Sequence, residues 1–291
     1  MLVTESDALA LLAWALPRLG LRERGFVHVR GQVCKRLRRR MLQLGLPNLA
    51  AYRARLERDA QEWQVLRGLC AVTISRFYRD AQVWDALRQE VLPQQVAAAS
   101  GAGESSFRCW SVGCASGEEP YTLSIVWALG FAAPAVLELG TPPTLKLRVL
   151  GTDVSEPVLA RGNLARYEAG TLRELPAPWR EQAFEAEDGG FRLREAFRTA
   201  VELRRGDVRA SLPPEMFHLI LCRNIVCTYF DERLQTETLE RLSTCLAPGG
   251  LLLLGRNERL PAGAPFEPWR PELGMYRARS SGSCVGGAAH G

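Results

Sequence analysis

The N-terminal part of the chain carries apolar residues at the spacing of an α-helix. Two sets of them recur three to four positions apart, and runs typical of strands are few. These sets are Leu9, Leu11, Leu12 and Leu16, and then Tyr52, Leu56, Trp63 and Leu66. The pattern predicts a helical region over residues 1–88, followed by a connection, rich in alanine and glycine, at 89–106.

Beyond residue 106 the pattern changes to short, wholly apolar runs separated by helical patterns. Four runs are predicted as strands that end in turns, at 107–114, 145–154, 217–226 and 249–257. Strands that are apolar throughout and alternate with helices form a parallel sheet covered on both faces. The predicted fold class is therefore α/β, with this domain over residues 89–279.

One segment, at about 184–203, interrupts this alternation of strands and helices. Gly189 and Gly190 stand between alternating apolar and polar residues, which indicates a short antiparallel β insertion. The last residues, 280–291, are small and polar, and we expect a disordered tail there.

Each predicted strand is followed by small or polar residues. They are residues 113–119, Thr152 with Asp153, Arg223 with Asn224, and Asn257 with Glu258. In parallel α/β sheets ligands bind beyond the carboxyl ends of the strands. Four polar clusters at one edge of a sheet therefore indicate a binding site.

The composition narrows the classes of function. No apolar run reaches the ~18 residues of a membrane span, and the N-terminus lacks the basic start of a signal peptide, so we expect a cytoplasmic protein. The eight cysteines form no C-x-x-C pair and the three histidines are far apart in sequence. This distribution predicts reduced, buried thiols and no metal site.

Positive charge is concentrated in the helical region. Residues 18–58 contain twelve Lys or Arg and two acids, while the whole chain has a net charge of +5. A solvated helix face explains this as well as a surface for an acidic protein or nucleic acid does. Both interpretations stay open on charge alone.

The turn after the first strand, "GCASGEE", decides which ligand suits the site. It lacks G-x-G-x-x-G, and a phosphate would meet the carboxylates of Glu118 and Glu119. A ligand with an amino group or a sulfonium and with ribose hydroxyls fits better, and S-adenosylmethionine (SAM) has all of these. Asp153 would accept from ribose hydroxyls, although it would serve an NAD ribose equally.

Six stretches, in the same order, resemble the CheR family of chemotaxis receptor methyltransferases. They are "TISRFYRD", "WSVGCASGEEPYTLSI", "GTDVSEPVLARG", "YEAGTLRELP", "CRNIVCTYFD" and "LAPGGLLLLG", and the resemblance covers roughly residues 10–277. It implies a class I Rossmann-like, SAM-dependent methyltransferase domain behind a small all-helical domain, with a short antiparallel β insertion. It also implies protein-glutamate O-methyltransferase activity on chemoreceptors.

The resemblance assigns roles at the aminoacyl end of the cofactor. Arg79 is implied to bind the methionyl carboxylate, with Thr73 and Ser75 as polar residues just before it. Thr73 departs from the asparagine that is commoner in the family. Glu119 is implied to bind the amino group, and Glu118 is then a helix N-cap or an acid in the first turn of a helix.

At the nucleoside end and the reaction centre the resemblance implies six further residues. Asp153 matches the acid that binds the ribose, and Asp207 with Val208 falls beside the adenine, where the family usually has asparagine instead of Asp207. Arg223 and Asn224 are implied to line the cofactor and substrate site. Tyr229 matches the tyrosine next to the transferred methyl, so Tyr229 and Arg79 are the expected catalytic residues. A further departure is Arg256-Asn257, where the family often has histidine and serine.

The implied acceptor gives the basic region a role. We expect Lys35, Arg36, Arg39 and Arg40 to contact a Glu-rich helical methylation region of the receptor. The alternatives are a SAM-dependent methyltransferase with another acceptor, such as a different carboxylate protein or RNA, and a non-catalytic SAM-binding signalling module.

Overall fold

The computed structural model describes residues 5–73, 75–132 and 145–279, so the predicted tail lies outside the described residues. The helices are α1 (Glu5–Arg18), α2 (Arg30–Gln43), α3 (Leu49–Arg58), α4 (Ala60–Cys70), α5 (Ala81–Ala86), α6 (Leu92–Gly101), α7 (Glu118–Ile125), α8 (Glu156–Leu164), α9 (Ala177–Ala183), α10 (Val226–Tyr229) and α11 (Glu232–Thr244).

The strands form one large sheet and one small sheet. They are β1 (Ser106–Val112), β2 (Lys146–Asp153), β3 (Arg166–Tyr167), β4 (Phe184–Glu187), β5 (Gly190–Leu193), β6 (Val201–Arg205), β7 (Phe217–Cys222), β8 (Leu246–Leu254), β9 (Phe266–Arg270) and β10 (Met275–Ala278). The large sheet has the order β6-β2-β1-β7-β8-β10-β9, in which β10 runs antiparallel to its two neighbours and the other pairs are parallel.

The four predicted strands are confirmed as β1, β2, β7 and β8. They lie together at the centre of the sheet, where both faces are buried, which is why their sequences are apolar throughout. On β7, Leu219 and Leu221 belong to one hydrophobic cluster while Ile220 and Cys222 belong to the other. The pattern does not predict β6, β9 and β10, which lie toward the sheet edges and are short or carry polar residues.

The helical region divides between the two faces of the sheet. The buried residues of α1 to α4 form one cluster with the face that includes Ile220. The next helix packs on the opposite face. It is one continuous helix, in which α5 passes through a π-helical turn into α6 and ends only at Gly101. Residues 89–106 are therefore mostly helix and not a connection, and the predicted boundary at 88 falls inside this helix. The change of packing occurs between Cys70 and Phe77.

The antiparallel insertion is present but its predicted end is wrong. β4 and β5 form a hairpin through Gly189, whose φ of 80° suits glycine, and β3 completes a three-stranded sheet. β6, however, pairs parallel with β2 and belongs to the large sheet. The insertion therefore ends before Val201. The sequence did not predict this end, because tertiary contacts decide which strand the polar β6 pairs with.

The order of the strands places a crevice at one point of the sheet. The chain runs outward from β1 through β2 to β6 and then returns to β7 on the other side of β1. The carboxyl ends of β1 and β7 therefore mark a topological switch point, where α/β sheets bind ligands. No helix within the described ranges is long and apolar enough to cross a bilayer.

Candidate functional site

A cleft of two adjoining cavities lies at the carboxyl ends of β1 and β7. The larger cavity has a volume of about 500 Å³, and its wall includes Ser75, Arg79, Glu119, Arg223 and Asn224. The smaller has about 110 Å³, and its wall includes Asp153, Asp207 and Val208. Both are bordered by Val72, Gly113, Ile225 and Tyr229. The fold thus brings together nine of the ten predicted site residues.

The turn between β1 and α7 shapes the centre of the cleft. Gly113 and Gly117 adopt φ values of 65° and 86°, and Ala115 also lies in the left-handed region at 49°. The Ala115 amide donates to Oδ2 of Asp153 at 3.0 Å, which ties this turn to the end of β2. A Cβ at Gly113 would lie 1.7 Å from Cδ1 of Ile225, so the backbone approaches the β7 loop as only glycine allows.

Glu119 and Arg223 form the charged centre of the larger cavity. Glu119 accepts from the Ser111 hydroxyl at 2.7 Å and from Nη1 of Arg223 at 3.3 Å, and its side chain is 13% exposed. Burial raises the pKa of Glu119, and the nearby Arg223 opposes that rise only in part. Nη2 of Arg223 also donates to Asp80 and to the Arg79 carbonyl. The two terminal nitrogens of Arg223 are therefore committed to the protein, while its buried Nε has no hydrogen-bond partner among the described residues.

Arg79 is held in a backbone turn that leaves its own guanidinium free. Tyr78 and Asp80, on either side of it, have φ values of 57° and 63°, which cost free energy for residues other than glycine. The turn is kept by bonds from the Tyr78 amide to the Thr122 hydroxyl and from the Trp84 indole to the Arg79 carbonyl. Within the described residues the Arg79 guanidinium makes no hydrogen bond or ion pair, although it lines the larger cavity.

The adjacent glutamate, Glu118, has a different position. It begins α7 and is buried, and it accepts from the Ser116 hydroxyl at 3.0 Å. Burial raises the pKa of Glu118 as well, but this residue does not line either cavity. The structure therefore separates the two carboxylates: Glu119 borders the cleft, while Glu118 is a buried acid in the first turn of α7, whose N-cap is Gly117.

Asp153 is fixed in the wall of the smaller cavity. Its oxygens accept from the backbone amides of Ala115 at 3.0 Å and of Ser155 at 2.9 Å. Burial raises the pKa of Asp153, and these amides offset the rise in part. Because each carboxylate oxygen has two lone pairs, acceptor capacity remains for hydroxyl groups of a ligand.

Asp207 is paired inside the smaller cavity. Nε and Nη2 of Arg209 donate to its two oxygens at 2.8 Å each, in a bidentate pair. Burial raises the pKa of Asp207, but the bonds from Arg209 outweigh it, so the pKa lies below its ordinary value. Asp207 is thus an ionised acceptor in a fixed orientation, next to the buried side chain of Val208.

Tyr229 ends the short helix α10, which follows the loop after β7. The loop begins at Asn224, whose φ is 58°, and is held by the buried carboxylate of Glu258. Glu258 accepts from the Asn224 amide at 2.7 Å and from the Thr228 hydroxyl at 2.6 Å. Burial raises the pKa of Tyr229, and Arg79 opposes the rise in part, so the hydroxyl remains a donor at neutral pH.

Thr73 is the predicted site residue that the cleft does not include. Its hydroxyl accepts from Nη2 of Arg36 at 3.1 Å, and it lines a groove beside the basic helix. Ser75, two residues on, does line the larger cavity. Thr73 therefore contacts the helical region rather than the cleft, at the position where the sequence already departs from the family pattern.

The four basic residues predicted to meet a partner fall into two pairs. Arg36 donates to the carbonyls of Leu69 and Ala71, and Arg40 makes a bidentate pair with the buried Glu62. Lys35 and Arg39 are exposed. All four line a groove of about 620 Å³, with Arg161 of the α/β domain, and its described lining includes no acid. Thr73 lines this groove while Val72 and Ser75 line the cleft, so one short segment separates the two.

Sequence reasoning missed the part of the cleft that the helical region supplies. Leu21, Phe26, Arg67 and Cys70 line the smaller cavity, and Gly25 and His28 line the larger. They come from loops and helix ends with no motif, so only tertiary structure brings them to the sheet edge. Glu258 was predicted only as one of the polar residues after β8, and no signal in the sequence indicated its role in holding Asn224 and Thr228.

The donor set of the cleft fits SAM. The larger cavity contains the Arg79 guanidinium, unpaired as far as the structure describes the chain, and the largely buried carboxylate of Glu119, and these two groups suit an amino-acid end. Asp153 and the smaller cavity, with its mainly apolar walls, suit a ribose and a flat base. The described residues contain no group of side chains able to hold a metal ion.

The comparisons with known proteins agree with this arrangement. Residues 73–269 match the family described as CheR methyltransferase, SAM binding domain, and residues 28–68 match CheR methyltransferase, all-alpha domain.

Three relatives cover most of the chain. An uncharacterised 104.1 kDa protein of Rhodobacter capsulatus is 32% identical, over 79% of the chain and 23% of that protein. A chemotaxis protein methyltransferase of Listeria monocytogenes is 27% identical, over 70% and 72%. The probable biofilm formation methyltransferase WspC of Pseudomonas putida is 32% identical, over 76% and 50%.

Proposed function

The chain belongs to the CheR methyltransferase family, and from that premise we propose that it methylates glutamate side-chain carboxylates on chemoreceptors or related signalling proteins. The single observation that carries the proposal is the Arg79 guanidinium, which has no hydrogen-bond partner among the described residues, in the same cavity as the largely buried Glu119. The positive Arg79 and the negative Glu119 match the carboxylate and the amino group of an amino-acid end. The chain spans only 23% of the length of the Rhodobacter capsulatus relative, and the chemotaxis protein methyltransferase of Listeria monocytogenes is 27% identical to this chain. These similarities do not identify the acceptor of this chain, which has to be tested.

The residues of the cleft divide the work of holding the cofactor. Arg79 would pair with the carboxylate of SAM, Glu119 would accept from its amino group and Asp153 would accept from its ribose hydroxyls. Asp207 and Val208 would border the adenine. Bound SAM supplies a methyl group on a sulfonium, which an ionised carboxylate can accept without losing a proton.

The acceptor requires orientation more than acid–base chemistry. A glutamate side chain has a pKa of ~4.3 and is ionised at neutral pH, so no general base is needed. We assign the Tyr229 hydroxyl, which stays protonated because burial raises its pKa, to donate to the acceptor carboxylate. Arg79 would offset the charge of that carboxylate. Correct orientation of reacting groups can supply up to ~7–11 kcal/mol.

The basic groove supports an acidic protein substrate. Lys35 and Arg39 are exposed there, and the groove adjoins the cleft across the segment that contains Val72 and Ser75. A Glu-rich helix in this groove would present its side chains near the cleft, since complementary charge guides and orients a partner. The proposal includes a cytoplasmic location.

The direct test is transfer of radiolabelled methyl from SAM to receptor-containing membranes. We expect label on receptor protein that mild base releases, as a methyl ester requires. Base-stable label on RNA would replace the proposed acceptor, and SAM binding without any transfer would leave a non-catalytic module.

Two variants test the assigned roles. Tyr229→Phe should lower turnover more than cofactor affinity, while Tyr276→Phe, which removes a hydroxyl outside both cavities, should change neither.

Lys35→Glu with Arg39→Glu should raise the receptor KM and weaken its salt dependence. The matched control is Lys146→Glu with Arg148→Glu. Both residues are exposed and lie near the amino end of β2, whereas the cleft lies at the carboxyl ends of the strands.

A further inference from the structure

A short loop of the helical region, residues 20–26, is paired with the chain around Tyr229. The Arg22 amide donates to the Tyr229 carbonyl at 2.9 Å, and the Asp231 amide donates to the Gly20 carbonyl at 2.8 Å. Leu21 and Phe230 form an isolated antiparallel bridge between these bonds. The loop between α1 and α2 therefore adds a strand-like partner to the end of α10.

Side chains of the same loop meet the last turn of α10. Nε of Arg22 donates to the Thr228 carbonyl at 2.9 Å. The rings of Phe26 and Tyr229 lie 5.0 Å apart at 56°. A Cβ on Gly25 would lie 2.4 Å from the Thr228 carbonyl oxygen and 3.1 Å from Cδ1 of Tyr229, so a side chain at this position would have to displace the turn.

The two ends of this segment are held by different parts of the molecule. Glu258 of the α/β domain holds Asn224 and Thr228 by hydrogen bonds, as described above. The carbonyl and the ring of Tyr229 are instead held by the loop. The position of the tyrosine in the cleft thus depends on contacts across the boundary between the helical region and the sheet.

We propose that the loop 20–26 positions Tyr229 for methyl transfer, with Arg22 and Gly25 as positioning residues. The proposal rests on the proposed function, since it takes Tyr229 as the group that orients the acceptor. Arg22 lines neither cavity, so it acts through Thr228 and Tyr229. The helical region then both receives the substrate and places the reactive side chain that the substrate meets.

The first experiment compares two glycines of the helical region. Gly25→Ala should lower kcat by about 10- to 100-fold, because a displacement of ~1 Å near the chemistry can cost that much. Gly31→Ala, where the added Cβ would meet no other side chain or distant backbone within 4 Å, should leave kcat unchanged. Arg22→Leu should also lower kcat, and Arg22→Lys, which keeps a donor, should recover part of the loss. Thermal unfolding verifies that the variants are folded.

A double-mutant cycle with Tyr229→Phe separates positioning from general damage. If the loop acts through the tyrosine, Gly25→Ala should have little further effect on kcat in the Tyr229→Phe background. Independent, additive losses in kcat would overturn the proposal.

A readout without cofactor separates this proposal from the proposed function. The chain has six tyrosines, so incorporation of 3-fluorotyrosine gives few ¹⁹F signals, and Tyr229→Phe identifies that of Tyr229. Gly25→Ala and Arg22→Leu should shift this signal and Gly31→Ala should not. An unchanged signal ends the positioning proposal even if methyl esters form. A shifted signal with no methyl ester retains the contact and ends the proposed function instead.

Discussion

The two cavities of the cleft share strand ends and bordering residues, yet they are built in different ways. The larger has buried charges, of which Arg223 makes three hydrogen bonds to the protein through its terminal nitrogens, while Arg79 makes none among the described residues. The smaller has mainly apolar walls, and its carboxylates, Asp153 and Asp207, already accept bonds from the protein. The larger cavity thus has a charge left open for a ligand, while the smaller offers shape and fixed acceptors.

The difference shows that two arginines in one cavity can have opposite purposes. Arg223 keeps Glu119, Asp80 and the turn of Arg79 in place, so its interactions exist before any ligand binds. Arg79 lies near Glu119 and Tyr229 but makes no hydrogen bond within the described residues, so a ligand can add hydrogen bonds to it without replacing any. Loss of Arg223 should therefore lower the stability of the free protein, and loss of Arg79 should lower the affinity for the cofactor.

The largest effect is expected for Arg223→Met. Its removal leaves Glu119 and Asp80 without their cation in a largely buried place, which costs about 3–5 kcal/mol of the free energy of unfolding. Denaturant unfolding measures this change. The control Arg233→Met removes a guanidinium that is 73% exposed from an ion pair on α11, and should cost less than about 1 kcal/mol. Equal losses in the two variants would contradict the assigned role of Arg223.

Next in size is the effect of Arg79→Met on binding of S-adenosylhomocysteine. Loss of charge-assisted hydrogen bonds worth about 1.5–3 kcal/mol should weaken the affinity by about 10- to 100-fold in calorimetry. The free protein should keep its free energy of unfolding within about 0.5 kcal/mol. If the free protein loses as much stability as Arg223→Met does, the two arginines do not differ as the structure indicates.

Glu119→Gln should change how cofactor affinity depends on pH. Burial raises the pKa of Glu119 above the ordinary 4.5, and an ammonium group binds its ionised form. Affinity should therefore fall as the pH falls through this raised pKa, and should level off above it. Glu119→Gln should weaken binding by about 10-fold and remove most of this dependence. The remainder comes from Asp153, whose pKa is also raised.

The neighbouring glutamate is the control for that experiment. Burial raises the pKa of Glu118 too, but Glu118 lines neither cavity. Glu118→Gln should therefore retain the affinity and its pH dependence. Loss of the dependence in Glu118→Gln, and its retention in Glu119→Gln, would exchange the roles of the two residues.

The smallest effect is expected in the smaller cavity, for Asp207→Asn. Asparagine still offers a carbonyl acceptor, but it cannot keep the bidentate pair with Arg209. Affinity for S-adenosylhomocysteine should weaken by about 3- to 10-fold, since a neutral hydrogen bond replaces a charged one. Arg209→Met should give a similar loss. A larger loss than that of Arg79→Met would show that the fixed acceptor, and not the open charge, dominates recognition.

How far the site was predictable depends on whether a residue has a local signal. Glu119, Asp153 and Arg223 follow strands whose apolar character is read directly from the chain, so their places at one sheet edge were predictable. Tyr229 had no such signal and was implied only by the resemblance to the family. Arg40 carried the same basic signal as Arg39, yet it pairs with Glu62, 22 residues away. Charge indicates what a side chain is able to bind but not which partner will be near it.

The sequence by itself determined the four central strands, the acidic turn that favours an aminoacyl group over a phosphate, and the family. Each depends on residues close together in the chain, where local periodicity and motif spacing operate. Only the tertiary structure decided that β6 joins the large sheet, that Thr73 faces the basic helix, and that the loop 20–26 holds Tyr229. These depend on pairs of segments far apart in the chain, and their contacts form because the whole fold brings them within hydrogen-bonding distance.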